Sequence, residues 1–159
     1  MQLRMARSDD QRNLTSCEYQ SLAELRHQLR LFLHFTEQAA RSVGLSPRQH
    51  QLLLALKGLP SHMRPSVGEL AKRLQVQPHT TVELANRLAL GGYLRRRRGG
   101  RDRREVLLSL TRKGQRVLRE LSLYHQTELC NAGPNLIHAL QRVVGRTVKS
   151  APSDTKVRQ

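Results

Sequence analysis

From Cys17 to Val43 the apolar positions fall at Leu22, Leu25, Leu29, Phe32, Leu33, Ala40 and Val43, with Thr36 in the same series. Steps of three and four put them on one face of a long helix. Gly44 ends it, and Ser46-Pro47-Arg48-Gln49 opens the next. Serine takes the N-cap, proline the first helical position, and glutamine stands three residues on to close a capping box, so a second helix is expected to about Lys57. Two prolines and a glycine between Gly58 and Pro65 break the pattern into a loop. A short third helix carries Val67, Leu70, Ala71 and Leu74 on one side. Gln75-Val76-Gln77 then makes a tight connection, and Pro78 opens a fourth helix to about Ala89. Two short helices joined by three residues predict a helix-turn-helix.

Past Gly91-Gly92 the period drops to two. Tyr93 to Arg98 and Glu105 to Leu110 predict a β-hairpin, the second strand alternating Val106, Leu108 and Leu110 with Glu105, Leu107 and Ser109. Thr111 is placed to cap a fifth helix with Val117, Leu118, Leu121, Tyr124 and Leu129. Gly133-Pro134 is expected to end that helix and begin a sixth, with Leu136, Ile137, Leu140, Val143 and Val144. The fold class is therefore mainly α with a small β-hairpin: a winged helix-turn-helix unit at about 46–110, flanked by terminal helices at about 17–43 and 112–148. The apolar faces of those flanking helices are too long for the central unit to cover, which suits dimerisation. Residues 1–14 and 149–159 are polar and aperiodic, and are expected to form a flexible arm and a flexible basic tail.

Charge sharpens the picture. The 159 residues carry a formal net charge of +16, which calls for a polyanionic partner. Seven arginines stand in the ten residues from Arg95 to Arg104, on the predicted hairpin. Guanidinium groups stay charged at physiological pH and fork onto phosphate oxygens, and Gly99-Gly100 lets the backbone turn them outward. Aromatic residues are few, and Tyr93 alone adjoins the arginine run, so a duplex fits better than a single strand held by stacking. A winged helix that binds RNA is disfavoured on the same ground. A membrane surface would instead ask for a basic amphipathic helix. The longest apolar run, Leu52 to Leu56, is far short of the roughly 18 residues needed to cross a bilayer, and the first residues lack an apolar signal core. The expected location is the cytoplasm, in association with the nucleoid. No nucleophile with a general base and no phosphate-cradling glycine loop appears, so an enzyme is not expected. The seven histidines form no close ligand set, and neither a metal nor a cofactor is expected.

Four stretches together resemble the MarR family of bacterial transcription regulators over roughly residues 20–148. They are Gly44 to Gln49, Val67 to Leu74, Arg87-Leu88 leading to Leu94, and Asp102-Arg103-Arg104 followed by Leu110-Thr111-Arg112-Lys113-Gly114. The last is the most specific: an Asp-x-Arg pair at the wing tip, then a Leu-Thr-x-x-Gly entering the next helix. The resemblance implies a homodimer with intertwined terminal helices and a winged helix on each side. It also implies a pseudo-palindromic duplex operator, repression, and release by a small-molecule effector bound between the dimer region and the winged helix.

On this reading the fourth helix enters the major groove, with His79, Thr80, Thr81 and Glu83 as candidates for base edges and Arg87 for phosphate. Val82, Ala85 and Leu88 would pack the helix inward. Gln77 departs from the serine or threonine frequent in the family at that capping position. Arg104 is expected in the minor groove, oriented by Asp102, with Arg95, Arg96, Arg97, Arg98, Arg101 and Arg103 binding backbone. Strand alternation should send two of Arg95 to Arg98 each way. Family members often carry an acid where Arg95 stands. Some relatives sense oxidants through cysteine, which makes Cys17 and Cys130 candidates, although Glu18 beside Cys17 would raise a thiol pKa rather than lower it. The competing function is a sequence-tolerant architectural DNA-binding protein, favoured by the arginine excess and by the lack of a base-reading arginine at the start of the fourth helix.

Overall fold

A computed structural model describes residues 13–99 and 105–149, with side chains to residue 145. The order is α1 (Ser16–Ser42), α2 (Pro47–Lys57), α3 (Val67–Leu74), α4 (Pro78–Leu90), β1 (Leu94–Arg98), β2 (Val106–Leu110) and α5 (Arg112–Lys149). The chain divides into two compact units, one of residues 31–131 and the other of residues 1–30 with 132–159.

Local chemistry sets most boundaries where the sequence puts them. Gly44, at φ +76°, carries the chain out of α1. The capping box forms: Ser46 Oγ accepts from the Gln49 N–H at 3.3 Å, and Gln49 Oε1 accepts from the Ser46 N–H at 2.8 Å. The connection after α3 turns on Gln75, a non-glycine residue in the left-handed region at φ +54°. Its cost is offset by the N–H groups of Gln75 and Val76, which satisfy the carbonyls at the end of α3.

One boundary differs. No break occurs at Gly133-Pro134, and α5 runs through both residues, so the expected sixth helix is the second half of the fifth. Proline in a helix removes one N–H and deprives the carbonyl four residues back, here that of Cys130, of its partner. Cys130 and Pro134 are both exposed, so water can take the place of the missing donor.

In the unit of residues 31–131, Leu52, Leu53, Leu70 and Leu88 are fully buried leucines contributed by α2, α3 and α4. Leu94 and Leu108 from the hairpin and Leu118 and Leu121 from α5 close the same core. Each such side chain stabilises the fold by about 1.5–3 kcal/mol. The hairpin pairs antiparallel from Leu94 with Leu110 to Arg98 with Val106. The loop before α3 adds to it: Ser66 bridges Leu107, and the Leu108 N–H donates to the Pro65 carbonyl at 2.8 Å. A single bridge is too short to leave a periodic signal in sequence.

Thr111 seats the hairpin on α5. Its N–H donates to the Tyr93 carbonyl at 3.1 Å, its hydroxyl donates to the Gly92 carbonyl at 2.6 Å, and Oγ1 accepts from the Gly114 N–H at 3.1 Å. A Cβ at Gly114 would lie 2.0 Å from the Tyr93 carbonyl oxygen. The Leu-Thr-x-x-Gly pattern is thus the covalent record of one close helix–strand approach.

In the unit formed by the two chain ends, Ser21 and Ala139 are buried, and the Ser21 hydroxyl donates to the Cys17 carbonyl at 2.8 Å. Tyr19, Leu22, Ile137, Leu140 and Val144 are exposed large apolar side chains in this unit.

Candidate nucleic-acid interface

The two sides of α4 are set by helical spacing. Thr81, Leu84, Ala85 and Leu88, at steps of three, four and seven, form its buried stripe. His79, Glu83 and Arg87, at steps of four, form an exposed one, with Thr80 half-buried beside them. The expectation that Thr81 meets base edges is therefore corrected. Thr81 is 0% exposed, and its Oγ1 has no hydrogen-bond partner among the described residues. Its position three residues before Leu84 and four before Ala85 is the signal that assigns it to the core.

Pro78 occupies the first position of α4, and Gln77, the N-cap residue, makes no side-chain capping bond. Its carbonyl still accepts from the N–H groups of Thr80 and Thr81. The start of the helix thus presents His79 and Thr80 on backbone geometry alone. Glu83 is already engaged, since Arg87 donates to its carboxylate one turn along. Both side chains are largely exposed, and such a helical pair contributes only about 0.3–0.5 kcal/mol. With both side chains already solvated, exchanging Glu83 for a phosphate at Arg87 carries little desolvation cost.

All four strand arginines, Arg95, Arg96, Arg97 and Arg98, are exposed, whereas Leu94 is buried. Cross-strand pairing places Arg96 and Arg98 on the hairpin face of Leu94, and Arg95 and Arg97 on the other, as alternation requires. Arg96 donates to Asn86 Oδ1 on α4, which ties the first strand to the middle of that helix. At the helix end, Lys113 donates to the Gly91 carbonyl at 2.8 Å and stands 4.3 Å over the Tyr93 ring. A cation there complements the negative end of α4. The hairpin closes with the Gly99 N–H on the Glu105 carbonyl at 2.7 Å, and Glu105 pairs with Arg64 at 2.7 Å. Arg101, Asp102, Arg103 and Arg104 lie outside the described residues.

Two arginines escape sequence inspection. Arg41 at the end of α1 and Arg48 at the start of α2 line one groove of about 600 Å³ with Thr80, Glu83 and Arg87 of α4. Both lie 30 residues or more ahead of the start of α4 at Pro78, so no motif spacing could join them.

A smaller cavity of about 170 Å³ lies among α1, α2 and α5. Phe32, Leu33 and Leu54 give it apolar walls, and His50 and His125 meet there edge to face, ring centroids 4.7 Å apart. The Nε2 atom of each is buried without a hydrogen-bond partner. Burial, and secondly the neighbouring His125, push the His50 pKa down from 6.5 to about 4. Burial also lowers that of His125, against the opposing effect of a hydrogen bond to the Thr36 backbone. Cys17 and Cys130 are both exposed, and neither is in a disulfide. Among the described residues, no group of three or more metal-ligating side chains converges, and no helix is long and apolar enough to cross a membrane.

Helices α2, α3 and α4 followed by the β1–β2 hairpin define a winged helix-turn-helix protein. Residues 43–105 match the model of the MarR family. A relative in Bacillus subtilis (strain 168), the HTH-type transcriptional repressor MdtR, is 35% identical over 71 residues, which are 45% of this chain and 44% of MdtR. The match thus spans less than half the length of that curated relative. Among solved structures, AbsC, a MarR family transcriptional regulator from Streptomyces coelicolor, superposes with a TM-score of 0.69 at 20% identity, covering 87% of this chain and 96% of AbsC. BpsR from Bordetella bronchiseptica, whose DNA binding is regulated by 6-hydroxynicotinic acid, gives a TM-score of 0.60 at 20% identity, with 81% and 98% covered. These two likenesses extend the shared fold beyond the segment matched by the family model.

Proposed function

We propose that this chain is a homodimeric, sequence-specific duplex-DNA-binding regulator of transcription, a repressor that acts on the nucleoid in the cytoplasm and is released by a small ligand. The observation that carries this is the pairing of two exposed surfaces. α4 presents His79, Thr80, Glu83 and Arg87, and the hairpin tied to it by Arg96 presents Arg95, Arg97 and Arg98. The first surface has the chemistry of a major-groove reader, and the second suits contact with the sugar–phosphate backbone and the minor groove. The exposed apolar side chains of the terminal helices would be covered in a dimer, which would bind half-sites about 10–10.5 base pairs apart. The cavity holding His50 and His125 offers two unpaired imidazole nitrogens to a small effector, in keeping with the regulation of BpsR.

The salt dependence of duplex affinity tests the proposal. Neutralising on the order of six or more phosphates gives a log–log slope steeper than about −5 for the dimer. A slope near zero would remove duplex DNA as the partner. A sequence-tolerant architectural role is favoured by one observation: with Thr81 buried and Glu83 paired to Arg87, few unengaged base readers remain on α4. Footprinting on upstream DNA against random competitor separates the two, since an architectural protein gives a specificity ratio near one.

A further inference from the structure

The groove among α1, α2 and α4 gathers three guanidinium groups from three helices, Arg41, Arg48 and Arg87. Like charges collected in one concave wall raise its potential and draw an anion to it. Arg41 donates to Glu37 at 3.3 Å and Arg87 donates to Glu83, each one turn back on its own helix. No carboxylate pairs with Arg48 among the described residues. Arg41, Glu37, Arg87 and Glu83 all have largely solvated side chains, so exchanging a carboxylate for another anion desolvates little. Ser46, Gln51 and Thr80 add polar side chains to the same lining.

We infer that this groove is a phosphate seat. Arg48 supplies the standing charge, and Arg41 and Arg87 transfer from Glu37 and Glu83 to the phosphate when it arrives. The two glutamates then set how strongly the seat binds, because each must be displaced. Thr80 lines the groove and is adjacent to His79 on α4, so a duplex whose bases meet α4 brings its sugar–phosphate backbone to this wall. The inference in this form rests on duplex binding by α4. The same chemistry would also hold a free phosphorylated molecule.

The test measures binding of a fluorescent mixed-sequence duplex to the full chain across about 50 to 200 mM salt. The parent protein should weaken steeply. Arg48→Gln should flatten the log–log slope by about 0.9 for each phosphate it no longer neutralises, which makes the fall in affinity over that range roughly threefold smaller per phosphate. Arg41→Gln should act in the same direction. Glu37→Gln should tighten binding severalfold at low salt, since it frees Arg41 and removes a negative charge. Thermal melts of each variant verify the fold. If the parent binds steeply while Arg48→Gln and Arg41→Gln keep its affinity and slope, the seat is wrong and duplex binding stands. If the parent shows no salt-dependent duplex binding, the proposed function fails, and inorganic phosphate titrated calorimetrically into the free protein decides the seat. Heat that disappears in Arg48→Gln assigns it to a free phosphate group, and absence of heat in the parent overturns it.

Discussion

A hydroxyl without a partner is costly to bury, and Thr81 carries one on the inner side of α4. The residue type suggests a DNA contact, whereas its place in the 81–84–85–88 stripe dictates packing. Position wins because rotating α4 to expose Thr81 would also lift Leu88 out of the core. Thr81→Val keeps the shape and removes the stranded oxygen, so stability should rise by about 1 kcal/mol in urea unfolding, with duplex affinity changed less than twofold. A tenfold loss of affinity without a change in stability would return Thr81 to the interface. Thr80 and His79 differ from it only by one and two steps of the helical wheel. That is why a list of polar residues near the helix start could not separate them without the full apolar pattern.

At the scale of elements, most of what depends on near neighbours was legible. Ser46 with Gln49, Gly44, and Thr111 with Gly114 each act within a few residues, and each sits where the sequence puts it. The break expected at Pro134 failed because proline weakens a helix without forbidding it, and the outcome depends on solvent at the orphaned carbonyl. The groove that joins Arg41, Arg48 and Arg87 was not legible, since it exists only once α1, α2 and α4 have packed. Two glycines of α5 make the distinction measurable. Ala at Gly114 would gain about 0.5–1 kcal/mol of helix propensity but meet the Tyr93 carbonyl, and overpacking of this kind costs about 1–3 kcal/mol. A Cβ at Gly133 would meet nothing within 4 Å. Gly114→Ala should therefore destabilise the protein and weaken duplex binding by moving the hairpin, whereas Gly133→Ala should stabilise it by about 0.5–1 kcal/mol. Equal effects of the two in urea unfolding would contradict the close approach at Tyr93.

For the whole molecule, the His50 imidazole couples stability to pH. Its pKa falls from 6.5 to about 4 on folding, so between these values the unfolded chain binds more protons than the folded one. Stability therefore rises with pH through this window: the contribution is fully present above about 6.5 and is lost as pH drops toward 4. One proton gives a slope of up to about 1.4 kcal/mol per pH unit. The expected outcome is a urea midpoint that is flat from pH 8 to 7 and declines below 6.5, with the decline reduced in His50→Phe. A midpoint that climbs on acidification would rule out a buried neutral His50.

The Thr111 side chain has one further consequence. A single hydroxyl group both terminates the hairpin, at the Gly92 carbonyl, and begins α5, at the Gly114 N–H. Opening the base of the hairpin therefore also loosens the cap of α5, and the two share part of their opening free energy. A two-stranded ribbon this short is marginal in water, and its seat on the first turn of α5 lends it support that pairing alone would not give.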